Sequence, residues 1–263
     1  MSAAHETTSH SLACAHLTID VADRVLVRDL NMSIPRGAVT CVLGRNGAGK
    51  TLTLHTLAGV RPARSGEVML DGQRLADWQR KDLAQTLGLL TQMTDDPFPS
   101  SVLETVLVGR HPHIGFWQWE SERDNEVARD ALRHVDMLDF ETRDVATLSG
   151  GERRRVAIAT LLAQNPALLL LDEPINHLDP HHQIAVLRLL HERSREGRTV
   201  LLTLHDATLA ARYSDYALLL FGEGQWLFGK TNDVLTTETM SRLYGLRVQE
   251  LAWSGGRAFV AAE

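Results

Sequence analysis

Gly44-Arg45-Asn46-Gly47-Ala48-Gly49-Lys50-Thr51 is the stretch on which the fold turns. Glycines stand at both ends and in the middle, and Lys-Thr closes it, the spacing of a phosphate-binding loop. The apolar run 39–43 precedes it and a helical pattern over 51–58 follows, so the loop joins a strand to a helix. Glycines allow the sharp turn and let several backbone N–H groups point inward, while the helix N-terminus adds partial positive charge. Lys50 can reach outer phosphates, and the Thr51 hydroxyl can ligate magnesium. One unit-charge pair at 4 Å is worth about 4 kcal/mol at an effective dielectric of 20. A single lysine therefore cannot offset a triphosphate, and amides and a metal must share the task. A glycine-rich turn with a chance lysine is the bland alternative, and the strand–helix context argues against it.

Outward from the loop, apolar runs recur at 87–90, 167–171, 199–204 and 217–221. They lack polar alternation, as parallel strands covered on both faces do. Helical patterns at 150–164, 180–196 and 207–213 lie between them, which predicts an α/β sheet. Up to about Gly72 the chain has shorter alternating pieces, and an antiparallel β layer suits them. Residues 93–148 differ: after the irregular Thr94-Asp95-Asp96-Pro97-Phe98-Pro99 come helical spacings at 101–109 and 121–135. With the next helix they make a helical subdomain of about 93–164 inside a single unit, 12–263. A helix at 237–244 and two β-like runs joined by a Gly255-Gly256 turn end the chain.

The second chemical element is Leu168-Leu169-Leu170-Leu171-Asp172-Glu173. A buried strand ending in two carboxylates presents them at the sheet's carboxyl edge, where open α/β sheets bind ligands. Asp172 would hold magnesium, usually through water, and Glu173 would position or deprotonate an attacking water. Alone, such a strand end reads as solvated. Its pairing with the phosphate loop favours the chemical reading.

Composition narrows the class. The chain has 263 residues, 44% of them hydrophobic and 23% charged, which suffices for a sizeable core. Its net charge of −6 provides no cationic field for nucleic acid. Cys14 and Cys41 match no metal spacing or disulfide framework. No apolar run is long enough to span a membrane, and polar residues 1–11 read as a loose tail without the features of a secretory signal. The chain is expected to fold in the cytoplasm.

Leu148-Ser149-Gly150-Gly151-Glu152 resembles the signature of ATP-binding-cassette (ABC) ATPases. In the order of that family stand Gln92 after a strand, Asn176-His177-Leu178-Asp179, and His205 after another strand. The resemblance implies a P-loop NTPase fold with a RecA-like core sheet, an antiparallel β layer and a helical subdomain. It also implies hydrolysis of ATP with Mg2+. Gly44 to Thr51 would hold the phosphates; Thr51, Asp172 and Gln92 would serve the metal; Glu173, His205 and Gln92 would serve the attacking water and γ-phosphate. Ser149, Gly150, Gly151 and Glu152 open a helix with N–H groups that face an anion, although a helix N-cap also explains Ser149. The resemblance makes that anion the ATP of a second copy, in a head-to-tail dimer, with Asp179 communicating between subunits.

One departure is at the adenine. The family stacks it on an aromatic residue at the position of Val21, and no aromatic precedes Trp78. Val21 is left to make an apolar contact, with His16 a weaker substitute. His177, His181 and His182 suggest a metal cluster but also fit an Asn-His-Leu-Asp stretch found in family importers. Arg153-Arg154-Arg155 reads as a solvated helix face, with Arg154 where the family more often has glutamine. Trp117 and Trp119 read as packing or partner-contact residues.

Pro97-Phe98-Pro99, Gly109-Arg110-His111-Pro112-His113, Leu75-Ala76-Asp77-Trp78 and the segment from Val234 to Gly245 resemble importers of iron–siderophore, haem and vitamin B12. That implies a polytopic permease dimer docked at the segment after Gln92, and indirectly an extracytoplasmic binding protein. The chain would lie on the cytoplasmic face of the inner (plasma) membrane, held peripherally by the permease. A soluble single-cassette ATPase, for example of iron–sulfur cluster assembly, and an ABC system for another cargo share the same motifs.

Overall fold

The computed structural model describes residues 10–92, 99–253 and 256–262. From the amino end, β1 (His10–Val21) and β2 (Arg24–Pro35) form a long hairpin, followed by β3 (Val39–Gly44), α1 (Lys50–Leu57), β4 (Ser65–Leu70) and β5 (Gln73–Arg74). Next, α2 (Arg80–Thr86) and β6 (Leu87–Leu90) lead to a helical block of α3 (Val102–Leu107), α4 (Glu122–Arg133) and α5 (Gly150–Gln164). Strands and helices then alternate through β7 (Leu168–Leu171), α6 (Pro180–Arg195), β8 (Thr199–Thr203), α7 (Ala207–Tyr213) and β9 (Tyr216–Gly222). The chain closes with β10 (Gln225–Lys230), α8 (Thr231–Val234), α9 (Thr237–Tyr244), β11 (Val248–Trp253) and β12 (Gly256–Ala261).

The main sheet has the order β10-β9-β3-β8-β7-β6. Its inner pairings are parallel, and β10 joins antiparallel to β9. The unbroken apolar runs follow from cores on both faces. In β7, Leu168 and Leu170 pack toward the hairpin layer, while Leu169 and Leu171 pack toward the helices. Val42 and the pair Cys41 and Leu43 divide β3 in the same way. The second sheet, β2-β1-β4-β5, is antiparallel and lies over α1. Both thiols are free and buried, and burial pushes the Cys14 thiol up to about 12.

Two sequence boundaries move. β1 begins at His10 rather than after residue 11, because Leu12 pairs with both Ile34 and Leu70 and the Ser11 carbonyl accepts the Asp71 N–H at 3.0 Å. Residues 1–9 and most of the irregular stretch (93–98) lie outside the described residues, as does Gly255 of the expected final turn. The helix expected over 101–109 stops being α-helical at Leu107 and tightens into a 3-10 turn, Val108–His113, that contains Pro112. Gly109 is the cause of close packing there: a Cβ on it would stand 2.2 Å from the Thr160 carbonyl oxygen on α5. Helices α3, α4 and α5 each open with a reciprocal capping box, at Ser101/Glu104, Ser121/Asp124 and Ser149/Glu152.

Gly109→Ala forces backbone apart where the 3-10 turn Val108–His113 meets α5. Denaturant unfolding should show a loss of about 1–3 kcal/mol; an unchanged midpoint contradicts this packing.

Candidate active site

The phosphate loop leaves β3 at Gly44, whose close approach to the neighbouring strand excludes a side chain. A Cβ there would lie 2.9 Å from the Leu220 carbonyl oxygen. Gly49 caps α1 in the left-handed region, at φ 101°, and no side chain caps this helix. Its first-turn N–H groups are thereby left to an anion. Lys50 is only 6% exposed, and its Nζ donates to the carbonyls of Gly44 at 2.8 Å and Arg45 at 3.4 Å. Burial lowers its pKa, and the carboxylates of Glu173 and Asp172 oppose that shift.

Two carboxylates leave the end of β7 toward different partners. Asp172 is fully buried; its Oδ1 accepts the Thr203 hydroxyl at 2.8 Å, and its Oδ2 has no partner. The same Thr203 oxygen accepts the Glu173 N–H at 2.7 Å. Glu173 has φ +49°, a left-handed backbone rarely adopted by a side-chain-bearing residue. Its carboxylate gathers three groups: Gln92 Nε2 donates to Oε2 at 2.9 Å, the Asn176 amide donates to the same oxygen, and His205 Nε2 lies 2.6 Å from Oε1. The Tyr244 hydroxyl donates to the His205 carbonyl at 3.1 Å, which fixes that loop against α9.

A cavity of about 860 Å³ joins these parts. It runs from Val21 and Arg24 at the tip of the hairpin, past Gly47, Lys50 and Thr51, to Gln92, Glu173 and His205. The unpartnered, buried Asp172 Oδ2 is a fit for a cation with bound water, since buried oxygens without donors otherwise carry a desolvation cost. A hard divalent ion with oxygen ligands suits Thr51 and Asp172. The carboxylate of Glu173, oriented by donors on both oxygens, can receive a proton from water.

Sequence-predicted residues divide by their place relative to this cavity, with Asp172, Gly44, Arg45 and Ala48 beside it but not lining it. Val21, Gln92, Glu173 and His205 meet the phosphate loop around one cavity. Ser149, Gly150, Gly151, Glu152 and Asp179 do not line it. At the start of α5 the Ser149 N–H donates to Glu152 at 2.7 Å, and the Ser149 hydroxyl holds the Glu152 carboxyl below its usual range. Asp179 caps α6, accepting the His182 N–H at 3.0 Å and meeting the His182 ring at 2.7 Å. His16 is paired with Asp29 and also lies outside the cavity.

The arginine run is not a solvated face. Arg154 is 7% exposed and donates to the carbonyls of Thr91 at 2.7 Å, Pro174 at 3.3 Å and Asp172. Arg153 donates to the Ala146 carbonyl at 2.7 Å and Arg155 to that of Val135 at 3.0 Å. Successive helical residues point about 100° apart, so a run of three cannot share one face. Trp117 and Trp119 are 90% and 89% exposed, which excludes packing within this chain as their role.

Sequence reasoning missed Thr203, Arg24 and Tyr244, and named Asn176 within the 176–179 stretch without foreseeing its bond to Glu173. Thr203 left a signal, a hydroxyl that ends an apolar run two residues before a candidate histidine.

The sequence profile of the ABC transporter family matches residues 27–176, more than half of the chain. The chain belongs to this family. Among curated relatives, it is 42% identical over 247 residues to the hemin import ATP-binding protein HmuV of Deinococcus radiodurans, covering 92% of each chain. It is 37% identical over 236 residues to the iron(3+)-hydroxamate import ATP-binding protein FhuC of Bacillus subtilis (strain 168), covering 89% of this chain and 88% of that one. A solved metal-chelate type ABC transporter in an inward-facing conformation superposes with a TM-score of 0.84 at 29% identity, covering 97% of this chain and 98% of that chain. The fold is accordingly that of an ABC ATPase, and the chain is an ATP-binding ABC subunit of the ATP-hydrolysing class.

Thr203→Val removes the hydroxyl that serves Asp172 and Glu173 together. It should cost about 1–3 kcal/mol of stability and lower ATP hydrolysis, with Thr203→Ser retaining both; denaturant unfolding and phosphate release measure the pair.

Proposed function

We propose that this ABC ATPase powers an importer of iron–siderophore, haem or a similar metal chelate, working as a pair of identical chains beneath a permease dimer. The observation that carries the catalytic part is the convergence of Gln92, Asn176 and His205 on the Glu173 carboxylate, within one cavity with Lys50. The cargo class is supported by the relatives named as hemin and iron(3+)-hydroxamate import proteins.

In this reading Gly44, Arg45, Asn46, Gly47, Ala48, Gly49 and Lys50 cradle the phosphates of ATP. Thr51 and Asp172 would hold Mg2+, with Gln92 as a further candidate ligand. The ion neutralises charge on the phosphate oxygens when bound. Glu173 takes a proton from the attacking water, while Gln92 and His205 keep the carboxylate and the water in line. Val21 offers the base an apolar edge in place of stacking. Ser149, Gly150, Gly151 and Glu152, which lie away from the chain's own cavity, close on the nucleotide of the second copy, and Asp179 lies on the same shared boundary. Closure of the pair drives the permease, and hydrolysis resets it.

No helix among the described residues is long and apolar enough to cross a membrane. In the importer reading the permease supplies the membrane attachment, on the cytoplasmic face of the inner membrane, and the extracytoplasmic binding protein delivers cargo to the permease. The net charge of −6 supports a role without nucleic acid.

Glu173→Gln keeps the hydrogen-bonding shape and removes the base. Hydrolysis should fall about 100-fold or more while a fluorescent ATP analogue still binds; retained turnover contradicts the role. In the Glu173→Gln background, ATP should shift the protein to a dimer by gel filtration. Adding Ser149→Arg should abolish that shift without weakening nucleotide binding. Val21→Tyr supplies a stacking ring and should tighten ATP binding by about 1 kcal/mol or more, read by titration; no gain would remove Val21 from the base site.

A further inference from the structure

Lys50 and Arg154 are the two buried cations among the described residues. Lys50 belongs to the phosphate loop, and the mechanism above gives Arg154 no task. Its guanidinium joins two segments of the site from a third. It donates to the carbonyl of Thr91, the residue before Gln92, and to the carbonyls of Asp172 and Pro174, on either side of Glu173. Gln92 and Glu173 are themselves bonded at 2.9 Å. The arginine thus fastens the backbone beneath both ends of that bond.

The helix that carries it makes the arrangement more than a brace. Arg154 lies five residues after Ser149, about 7.5 Å along a rigid α-helix. The same element presents Ser149 and the paired glycines at its start and grips the hydrolytic residues one turn later. A displacement of the helix start must be felt at the guanidinium. The planar fork of five N–H donors can satisfy three carbonyls together, whereas a glutamine amide has two donors.

We propose that Arg154 is a positioning residue that couples the two nucleotide sites of the dimer: engagement of Ser149 with the partner's ATP is transmitted through α5 and the guanidinium to Gln92 and Glu173 of the same chain. The inference rests on the two-chain reading above and goes beyond it. Within a chain it predicts that a displacement of the signature end of α5 shifts Gln92 and Glu173, so that engagement at one site alters hydrolysis at the other. Cooperative hydrolysis follows.

The test uses the full-length protein with Arg154→Met, Arg154→Gln and Arg154→Lys, following ATP hydrolysis against ATP concentration. The expected wild type is cooperative. Arg154→Met should lower kcat at least tenfold, bring the Hill coefficient to 1, and leave the affinity for a fluorescent ATP analogue within twofold. Arg154→Lys should recover part of both kcat and cooperativity, and Arg154→Gln should fall between. If Arg154→Met does not fold by circular dichroism, Arg154→Gln carries the same comparison. A non-cooperative wild type, or variants that keep its Hill coefficient, overturns the coupling. So does a loss of ATP affinity equal to the loss of kcat, the mark of a merely structural residue. The dimer itself is judged separately, by the ATP-dependent shift of Glu173→Gln with Arg154 intact: failure there removes the two-chain reading and the coupling with it.

Discussion

Two adjacent carboxylates at the end of β7 must serve different partners in a region with almost no solvent. The Thr203 hydroxyl meets that demand, because it donates to Asp172 and accepts from the Glu173 backbone at once. Glu173 is thereby held at a positive φ, a conformation that costs about 1–3 kcal/mol and persists only when its surroundings over-determine it. Gln92, Asn176 and His205 at the carboxylate and Thr203 at the backbone N–H supply that determination. Relaxing Glu173 into an extended backbone would re-aim its carboxylate away from Gln92 and His205, and the site would lose its geometry while the fold survived.

Sheet register is what brings those partners to hand. Leu90 pairs with Leu171, so Gln92 and Glu173 each stand two residues beyond a matched pair. Leu171 pairs with Leu202, so Asp172 and Thr203 stand side by side one residue on. β3 pairs with β8 in the same sense, and its end delivers the phosphate loop to the same edge. A one-residue slip would turn each of these side chains to the opposite face. Apolar packing on both faces therefore fixes the chemistry as well as the stability, since it fixes the register.

Local motifs were legible without coordinates, and long-range pairings were not. The glycine loop, the Asp172-Glu173 strand end and the capping pairs at Ser149 and Glu152 are written within a few neighbouring residues. The helices at 150–164, 207–213 and 237–244 have the bounds their patterns imply. Thr203 acts on residues 30 and 31 positions away, and Asn176 acts only because Glu173 turns back toward it. The arginine run misled because a string of cations resembles a charged surface in one dimension. On a helix its members diverge, and the middle one finds a row of carbonyls that no local pattern announces. The end of α3 was hidden for a similar reason, since the contact of Gly109 with α5 spans 51 residues.

The starts of α1 and α5 are built differently, and the difference suits the different duties proposed for them. α1 begins at a glycine with no side-chain cap, so its donors are pre-arranged for a ligand bound within the chain. α5 satisfies itself through the Ser149–Glu152 box, which occupies the N–H groups of Ser149 and Glu152 and leaves those of Gly150 and Gly151. A Cβ on Gly150 would meet nothing within 4 Å, so the backbone there is open to a large partner. An anion approaching this end meets the free N–H groups of Gly150 and Gly151 beside the Glu152 carboxylate, whose negative charge opposes a single weak contact. A polyphosphate already fixed in a second chain offers several oxygens at once and costs little further entropy on docking. Such a cap suits the proposed docking of a nucleotide held by a second chain better than the capture of one free in solution.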